Sequence, residues 1–356
     1  MDRSRIESEG RKPETLHQFL PRLQSKYPIE VLSEKLLQYL TTVLDDPSLS
    51  YKESLEPIYK GYERLLYSFQ LTSISEQFSK PLILRLYQED INEVFVQFES
   101  SLQQAILTQN FPVPEIVHIC KDQNVLGGFF YIMEKIDGKN LNEYIKDNYH
   151  TITTIPRILA QTQIHIHRID QDFVMNLLLE QGIDVSSYKF EGVIENIRKI
   201  SQDEISKHIY EKSRWLIDHQ PQVGDDIVVC HADLHFGNII YDDHKVTGVV
   251  DWGKTRFFER EYDIAATLLL LEMIYRRYSH SPQFLIRTMR GYLVWMYLSE
   301  FRNHVKIDME KIQYYKALIS FQELMSLRPG SHDNTWYQQT ISFYNDQFEK
   351  SVQFFG

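Results

Sequence analysis

The run IVVCHADLHFGNIIYDDHKVTGVVDWG, residues 227 to 253, constrains this chain more than any other. Its apolar segments IVVC, NIIY and VTGVV are too short for helices and carry the β-branched residues of buried strands. A polar loop with His231, Asp233, His235 and Asn238 separates the first two, and Asp251 follows directly on the third. A hairpin-like arrangement brings the ends of these segments together, so Asp233, Asn238 and Asp251 are expected to share one cleft. Two carboxylates converging in that way repel each other unless a cation lies between them.

The chain before and after this run differs in character. LEPIYKG, RLLYSFQLTS and KPLILRLYQ are short, aliphatic and aromatic, and read as antiparallel strands. NEVFVQFESSLQQAILTQN has helical period, FPVPEIVHIC enters another strand through prolines, and GGFFYIMEKIDGKNL is a hairpin strand leaving through a glycine turn. After Gly138 the pattern is mostly helical, as in IPRILAQTQIHIHRID, YDIAATLLLLEMIYRRY and MEKIQYYKALISFQELMS. The expected division is an N-terminal helical extension over 1–53, a small sheet lobe with one helix over 54–134, and a helical lobe over 135–356. In the extension, LHQFLPRL reads as helical, and Leu32, Leu36, Leu37 and Leu40 form one apolar face. That face fits either a cap on the sheet lobe or a contact between two copies.

A formal net charge of -11 argues against a general nucleic-acid binder, since a phosphate backbone selects basic faces. Cys120 and Cys230 both stand among apolar residues, as buried thiols do, and no disulfide or zinc pattern is present. The N-terminus lacks the apolar core of a signal peptide. The apolar run beginning at Ile264 is too short to span a bilayer and reads as a buried helix. A cytoplasmic protein with no membrane partner is expected.

Mg²⁺-dependent phosphoryl transfer needs one carboxylate to accept a proton, plus an Asn and a second Asp as hard oxygen ligands. The kinase pattern H-R-D-x-x-x-x-N followed by D-F-G has this content. Here His231-Ala232-Asp233 is followed by Asn238 at the same spacing, and Asp251-Trp252-Gly253 stands in the later position. A plain polar turn would also use Asp and Asn. A zinc hydrolase would use His231, Asp233 and His235 as H-x-D-x-H, but it wants further histidines, and His244 is the other one nearby. His165 and His167, two apart on a helix, point to different faces and suit structural roles.

On these residues the chain resembles the aminoglycoside phosphotransferase family, small-molecule kinases with a protein-kinase-like fold. HADLHFGNII and VVDWG match the family's two central motifs, with Ala232 where glycine is usual, and EYDIA resembles the family's following helix start, with Asp263 as an N-cap or packing residue. The resemblance implies a bilobal α+β fold, with ATP or GTP and Mg²⁺ as cofactors and a small-molecule hydroxyl as acceptor. It implies that Asp233 is the catalytic base and that Asn238 and Asp251 hold the metal. Arg85, in place of the commoner Lys, would hold the α- and β-phosphates, positioned by Glu99, and adenine would meet the backbone near Glu134 and Ile136. The phosphate-covering loop, IYKGYERLLYSF, matches least, with Gly61 as its single glycine. For the acceptor, Glu259, Glu261 and Glu272 suit a polycation, whereas Trp252, Trp295 and Trp336 suit a quaternary amine. A non-catalytic nucleotide-binding pseudokinase is the rival of a different class.

Overall fold

One antiparallel sheet builds the first lobe. The computed structural model describes residues 26–60, 64–73, 75–148, 153–202, 207–242, 244–277, 283–327 and 334–356. Within them the order is α1 (Ile29–Val43), β1 (Ser50–Lys60), β2 (Arg64–Thr72), α2 (Glu76–Ser79) and β3 (Pro81–Tyr87). There follow α3 (Glu93–Leu107), β4 (Ile116–Cys120), α4 (Gln123–Leu126) and β5 (Phe130–Glu134). The five strands form one antiparallel sheet in the order β1-β2-β3-β5-β4.

Successive side chains of a strand point to opposite faces, and the central strand β3 uses both. Leu82, Leu84 and Leu86 enter the core with Leu65, Phe69, Phe130 and Ile132. Leu32, Leu36 and Leu40 of α1 are fully buried in that same core, so α1 caps the sheet. Ile83 and Tyr87 face the other way, with Val96 of α3. Arg85 shares their side of the strand, which carries its guanidinium toward α3.

The second lobe opens with β6 (Lys139–Asn140) and α5 (Leu141–Asp147), then α6 (Ile155–Ile166), α7 (Gln171–Glu180), α8 (Phe190–Ile200) and α9 (Lys207–Asp218). Four strands interrupt the helices: β7 (Ile227–Cys230), β8 (Ile239–Asp242), β9 (Lys245–Val249) and β10 (Arg256–Glu259). The chain continues through α10 (Arg260–Arg277), α11 (Gln283–His304), α12 (Met309–Ser326) and α13 (Asn334–Phe354). β8 and β9 form the expected hairpin, with β6 on its edge. β7 pairs instead with β10, a strand that sequence reasoning missed because only Phe257 and Phe258 mark it between charged residues.

A small sheet lobe thus precedes a larger, mostly helical one, the α+β organisation expected. Ile264, Ala265, Leu268, Leu269 and Leu271 of α10 are buried in the helical core, and both cysteines are buried and free. Among the described residues no helix is long and apolar enough to cross a membrane. LHQFLPRL and Gly61 lie outside the described residues.

Two measurements check the docking of α1. Leu36→Ala is expected to cost about 2–5 kcal/mol in denaturant unfolding, since it opens a cavity in a close-packed core. The second concerns His118 on β4, whose Nε2 lies 2.9 Å from the Tyr39 hydroxyl of α1. Burial holds the His118 imidazole below its ordinary value of 6.5, so the unfolded chain takes up this proton first as pH falls. Its contribution to stability is therefore complete above that value and is lost as pH drops through the lowered one. The pH dependence of unfolding is expected to flatten in this window in His118→Gln.

Candidate active site

The loop joining β7 to β8 is anchored by its buried residues. Cys230, His231 and Leu234 have no exposed surface. Both nitrogens of the His231 ring are engaged, Nε2 with the Val250 carbonyl at 3.1 Å and Nδ1 with the Asp233 N–H at 3.3 Å. The ring leans on Trp252, with 4.6 Å between centroids. Its nitrogens are committed to the backbone, so the zinc reading of H-x-D-x-H fails. His235 likewise spends Nδ1 on the Gly237 N–H at 2.9 Å.

Ala232 sits at φ +61°, a left-handed conformation. For a residue bearing a Cβ this costs about 1–2 kcal/mol, the reason glycine suits the position. Asp263 offsets the cost: its Oδ1 accepts the Ala232 N–H at 2.7 Å, while Oδ2 lies 2.8 Å from His167 Nε2. Burial opposes the charge on Asp263, but the bonds from His167, Gln163 and Ala232 outweigh it and hold the carboxyl below the usual range. Asp263 lies inside α10 and is buried, so of the two expected roles it takes that of the packing residue and not that of the N-cap; it positions the loop. His167, the C-cap of α6, has the structural role expected of it.

Asn238 donates its side-chain amide to the Asp233 carbonyl at 2.9 Å, which fixes the two residues relative to each other. Its own carbonyl accepts the Val250 N–H at 3.0 Å, so Asn238 lies beside the residue preceding Asp251. The three polar residues that the sequence singled out are therefore gathered at one place. Asp251 has φ +72°, and Trp252 is fully buried behind it, with Nε1 donating to the Val249 carbonyl at 3.1 Å. Burial pushes the Asp233 carboxyl up and nearby Asp251 adds to this, against the pull of Lys254 and His235. Lys254, which the sequence reading missed, holds Glu323 at 2.8 Å.

Across the cleft, Arg85 and Glu99 form a buried pair, 2.5 Å from Nη2 to Oε1, and not the ordinary surface pair that chance would supply. Arg85 also donates Nε to the Tyr87 hydroxyl at 3.1 Å and reaches Asp251 Oδ1 at 3.2 Å. Tyr87 donates its hydroxyl to Glu99 Oε2 at 2.6 Å. A second guanidinium, Arg64 of β2, lies 3.1 Å from Glu99 and 2.8 Å from Asp251. Burial opposes the charge of Asp251, yet Arg64 and Arg85 hold its carboxyl well below the usual range. The cation expected between converging carboxylates is thus partly supplied by the protein. Nothing in the spacing of Arg64 distinguished it from a surface arginine. Gly253 makes room for the group: a Cβ there would stand 3.1 Å from Arg64 Nη1 and 3.0 Å from the Phe95 ring.

At the exit of β5, the Glu134 N–H is used by the Glu115 carbonyl at 2.8 Å and its carboxylate by Lys80 at 3.2 Å. The Ile136 N–H has no partner among the described residues. The Ile136 side chain rests against Gly248 of β9, where any Cβ would fall 2.3 Å from its Cδ1. This segment is therefore seated on the hairpin that leads to Asp251.

Residues 54–301 match the family model of the phosphotransferase enzyme family, APH. The chain belongs to this family. The GDP and kanamycin complex of APH(2")-IIia is similar to it with a TM-score of 0.55 at 14% identity, over 88% of this chain and 99% of that one. The Plasmodium vivax ethanolamine kinase Pv091845 gives a TM-score of 0.53 at 16% identity, over 89% and 85%. Acyl-CoA dehydrogenase family member 11 of Mus musculus is 25% identical over 206 residues, 52% of this chain. The match spans only 25% of that longer protein.

Two acceptor features anticipated from the family do not assemble. Glu259 is buried, bonded to Lys311 at 2.5 Å, to the Tyr315 hydroxyl at 2.7 Å and to the Gly224 N–H at 2.8 Å. Glu261 accepts the Asp308 N–H, and Glu272 faces Arg290 and Lys350. These three carboxylates tie helices together and do not offer a polycation site. Trp252 is core and Trp295 stacks with Tyr292 on the surface, while the side chain of Trp336 lies outside the described residues. Trp252 and Trp295 do not come together in an aromatic cage.

The loop scaffold has its own test. Asp263→Ala strips a buried partner from His167 and from the Ala232 N–H. It is expected to cost about 2–5 kcal/mol of stability by denaturant unfolding, since two buried partners lose their acceptor at about 1–3 kcal/mol each.

Proposed function

We propose that this chain is a Mg²⁺-dependent phosphotransferase of the cytoplasm, acting on a hydroxyl of a small molecule with ATP, or GTP in its place, as the donor. The observation that carries this reading is the gathering of Asp233, Asn238 and Asp251 opposite the Arg85–Glu99 pair. Asp233 orients the acceptor hydroxyl and takes its proton; a carboxyl raised by burial is a better base than an ordinary one. Asn238, whose Oδ1 has no partner among the described residues, and Asp251, a carboxylate held ionised and 27% exposed, are hard oxygen donors that suit Mg²⁺. That ion would neutralise charge on the transferring phosphates. Arg85, fixed by Glu99 and Tyr87, presents its remaining nitrogen Nη1 to the α- and β-phosphates. The Glu134 carbonyl and the Ile136 N–H meet the purine edge. Placement and charge neutralisation account for most of the rate in such a reaction.

A second reading keeps nucleotide binding without transfer. The contacts of both arginines with Asp251 favour it, because they already neutralise the carboxylate that a metal would use. ADP release decides between the two, measured with Mg²⁺ and ATP or GTP across aminoglycosides, choline, ethanolamine, homoserine, sugars and macrolides. Turnover with one acceptor class is expected, falling about 10²–10⁴-fold in Asp233→Asn. Arg85→Ala is expected to raise KM for ATP more than KM for the acceptor. Turnover that survives intact in Asp233→Asn contradicts the assignment of the base.

A further inference from the structure

We propose that Arg64 is a phosphate-contacting residue of the nucleotide site, a second guanidinium gripping the donor alongside Arg85. The inference rests on the nucleotide reading above and goes beyond the residues that motif matching assigns.

Three features of the geometry support it. First, Arg64 occupies the outer position. It pairs in register with Tyr87 of β3, so it projects from the sheet on the Tyr87 side, toward α3 and the cleft. Its side chain is 14% exposed, against 3% for Arg85. Arg85 forms the floor and Arg64 the rim.

Second, Arg64 reaches across the cleft to the Asp-Trp-Gly turn. Nη2 lies 2.8 Å from Asp251, and Nη1 lies 3.1 Å from the position a Gly253 Cβ would take. A polyphosphate whose cation is held by Asp251 must pass beside this guanidinium. Arginine suits that meeting, since its planar fork grips phosphate oxygens in pairs.

Third, Arg64 can exchange partners without leaving a buried charge uncompensated. Glu99 keeps Arg85 at 2.5 Å and the Tyr87 hydroxyl at 2.6 Å. Asp251 keeps Arg85 at 3.2 Å. Arg85 also donates Nε to the Tyr87 hydroxyl and is the more deeply buried of the two, so it is the more firmly fixed. Arg64 is the arginine nearer the surface, and Glu99 and Asp251 each keep Arg85 when a ligand recruits Arg64. The sequence before it holds one glycine, Gly61, so fewer close backbone N–H donors are on offer and a side-chain donor takes on more of the task.

The test is calorimetric titration of ATP and, separately, adenosine into the native chain, Arg64→Ala and Arg64→Lys, with Mg²⁺ present throughout. Adenosine shares the base and ribose but has no phosphate to grip. Arg64→Ala is expected to weaken ATP about ten- to a hundredfold while leaving adenosine within about twofold. Arg64→Lys, which keeps the charge without the fork, is expected to fall between. Equal losses for ATP and adenosine, or no loss for either, would assign Arg64 a purely structural role and overturn the proposal, while the nucleotide reading stands. If the native chain binds neither ligand, the nucleotide reading falls and the proposal with it. Thermal unfolding of each variant, run alongside, identifies any loss that reflects misfolding, and Arg64→Lys then carries the comparison.

Discussion

Two guanidiniums and two carboxylates, Arg64, Arg85, Glu99 and Asp251, form the interaction on which the rest of this site depends. The group is neutral overall and largely out of water, with Glu99 fully buried and Arg85 nearly so. Removing such charges from water costs several kcal/mol per ion, and a well-packed apolar core would be at least as stable. Stability alone therefore does not account for the arrangement. What it provides is position: β2, β3 and α3 of the sheet lobe are joined through it to the Asp-Trp-Gly turn of the helical lobe. Glycine at 253 follows from the same requirement, because a side chain there would crowd Arg64 and the Phe95 ring of α3.

The opposite wall is held by other means. His231, Trp252 and Asp263 are buried and committed to backbone groups, to His167 or to one another, and they hold Ala232 and Asp251 in left-handed conformations. Residues kept in such conformations persist where the surroundings over-determine them. The result is a rigid loop on which Asp233 and Asn238 are locked to each other by one hydrogen bond. Asp233 bears the cost of this position in its raised pKa, and Asp251, between two arginines, is shifted the other way. Two carboxylates of one cleft are thus driven apart in acidity by their neighbours, as the proposed roles of base and metal ligand require.

Much of this was legible in the sequence, and the reasons differ by element. β2 and β3 declared themselves as short runs of aliphatic and aromatic residues, α3 through helical spacing and α10 as an apolar run too short to span a bilayer. The Asp233, Asn238 and Asp251 set was found because the chemistry fixes residue type and spacing together. Arg85 and Glu99 were found through the family resemblance, which names a strand and the helix after it. Arg64 was missed because its importance comes from register with Tyr87 and from reach across the cleft, and neither leaves a mark in local sequence. β10 was missed because two phenylalanines between charges do not make a recognisable strand. The acceptor candidates failed for a related reason: Glu259 and Trp252 have the right side chains for a ligand site, but packing has turned them into core partners. Charge and aromaticity counted along a chain do not reveal which side chains face a cleft.

Family membership brings with it a fold whose solved relatives include an ethanolamine kinase and an aminoglycoside phosphotransferase complex, so it leaves the acceptor open. The account stands or falls on Asp251 serving a metal-bound nucleotide and not merely two arginines. The most direct measurement is calorimetric titration of ATP into the native chain and into Asp251→Asn, each with Mg²⁺ and again with EDTA. The account predicts that Mg²⁺ tightens ATP binding to the native chain and that this gain disappears in Asp251→Asn. Equal affinity with and without Mg²⁺ in the native chain would contradict it, leaving Asp251 as the structural partner of Arg64 and Arg85.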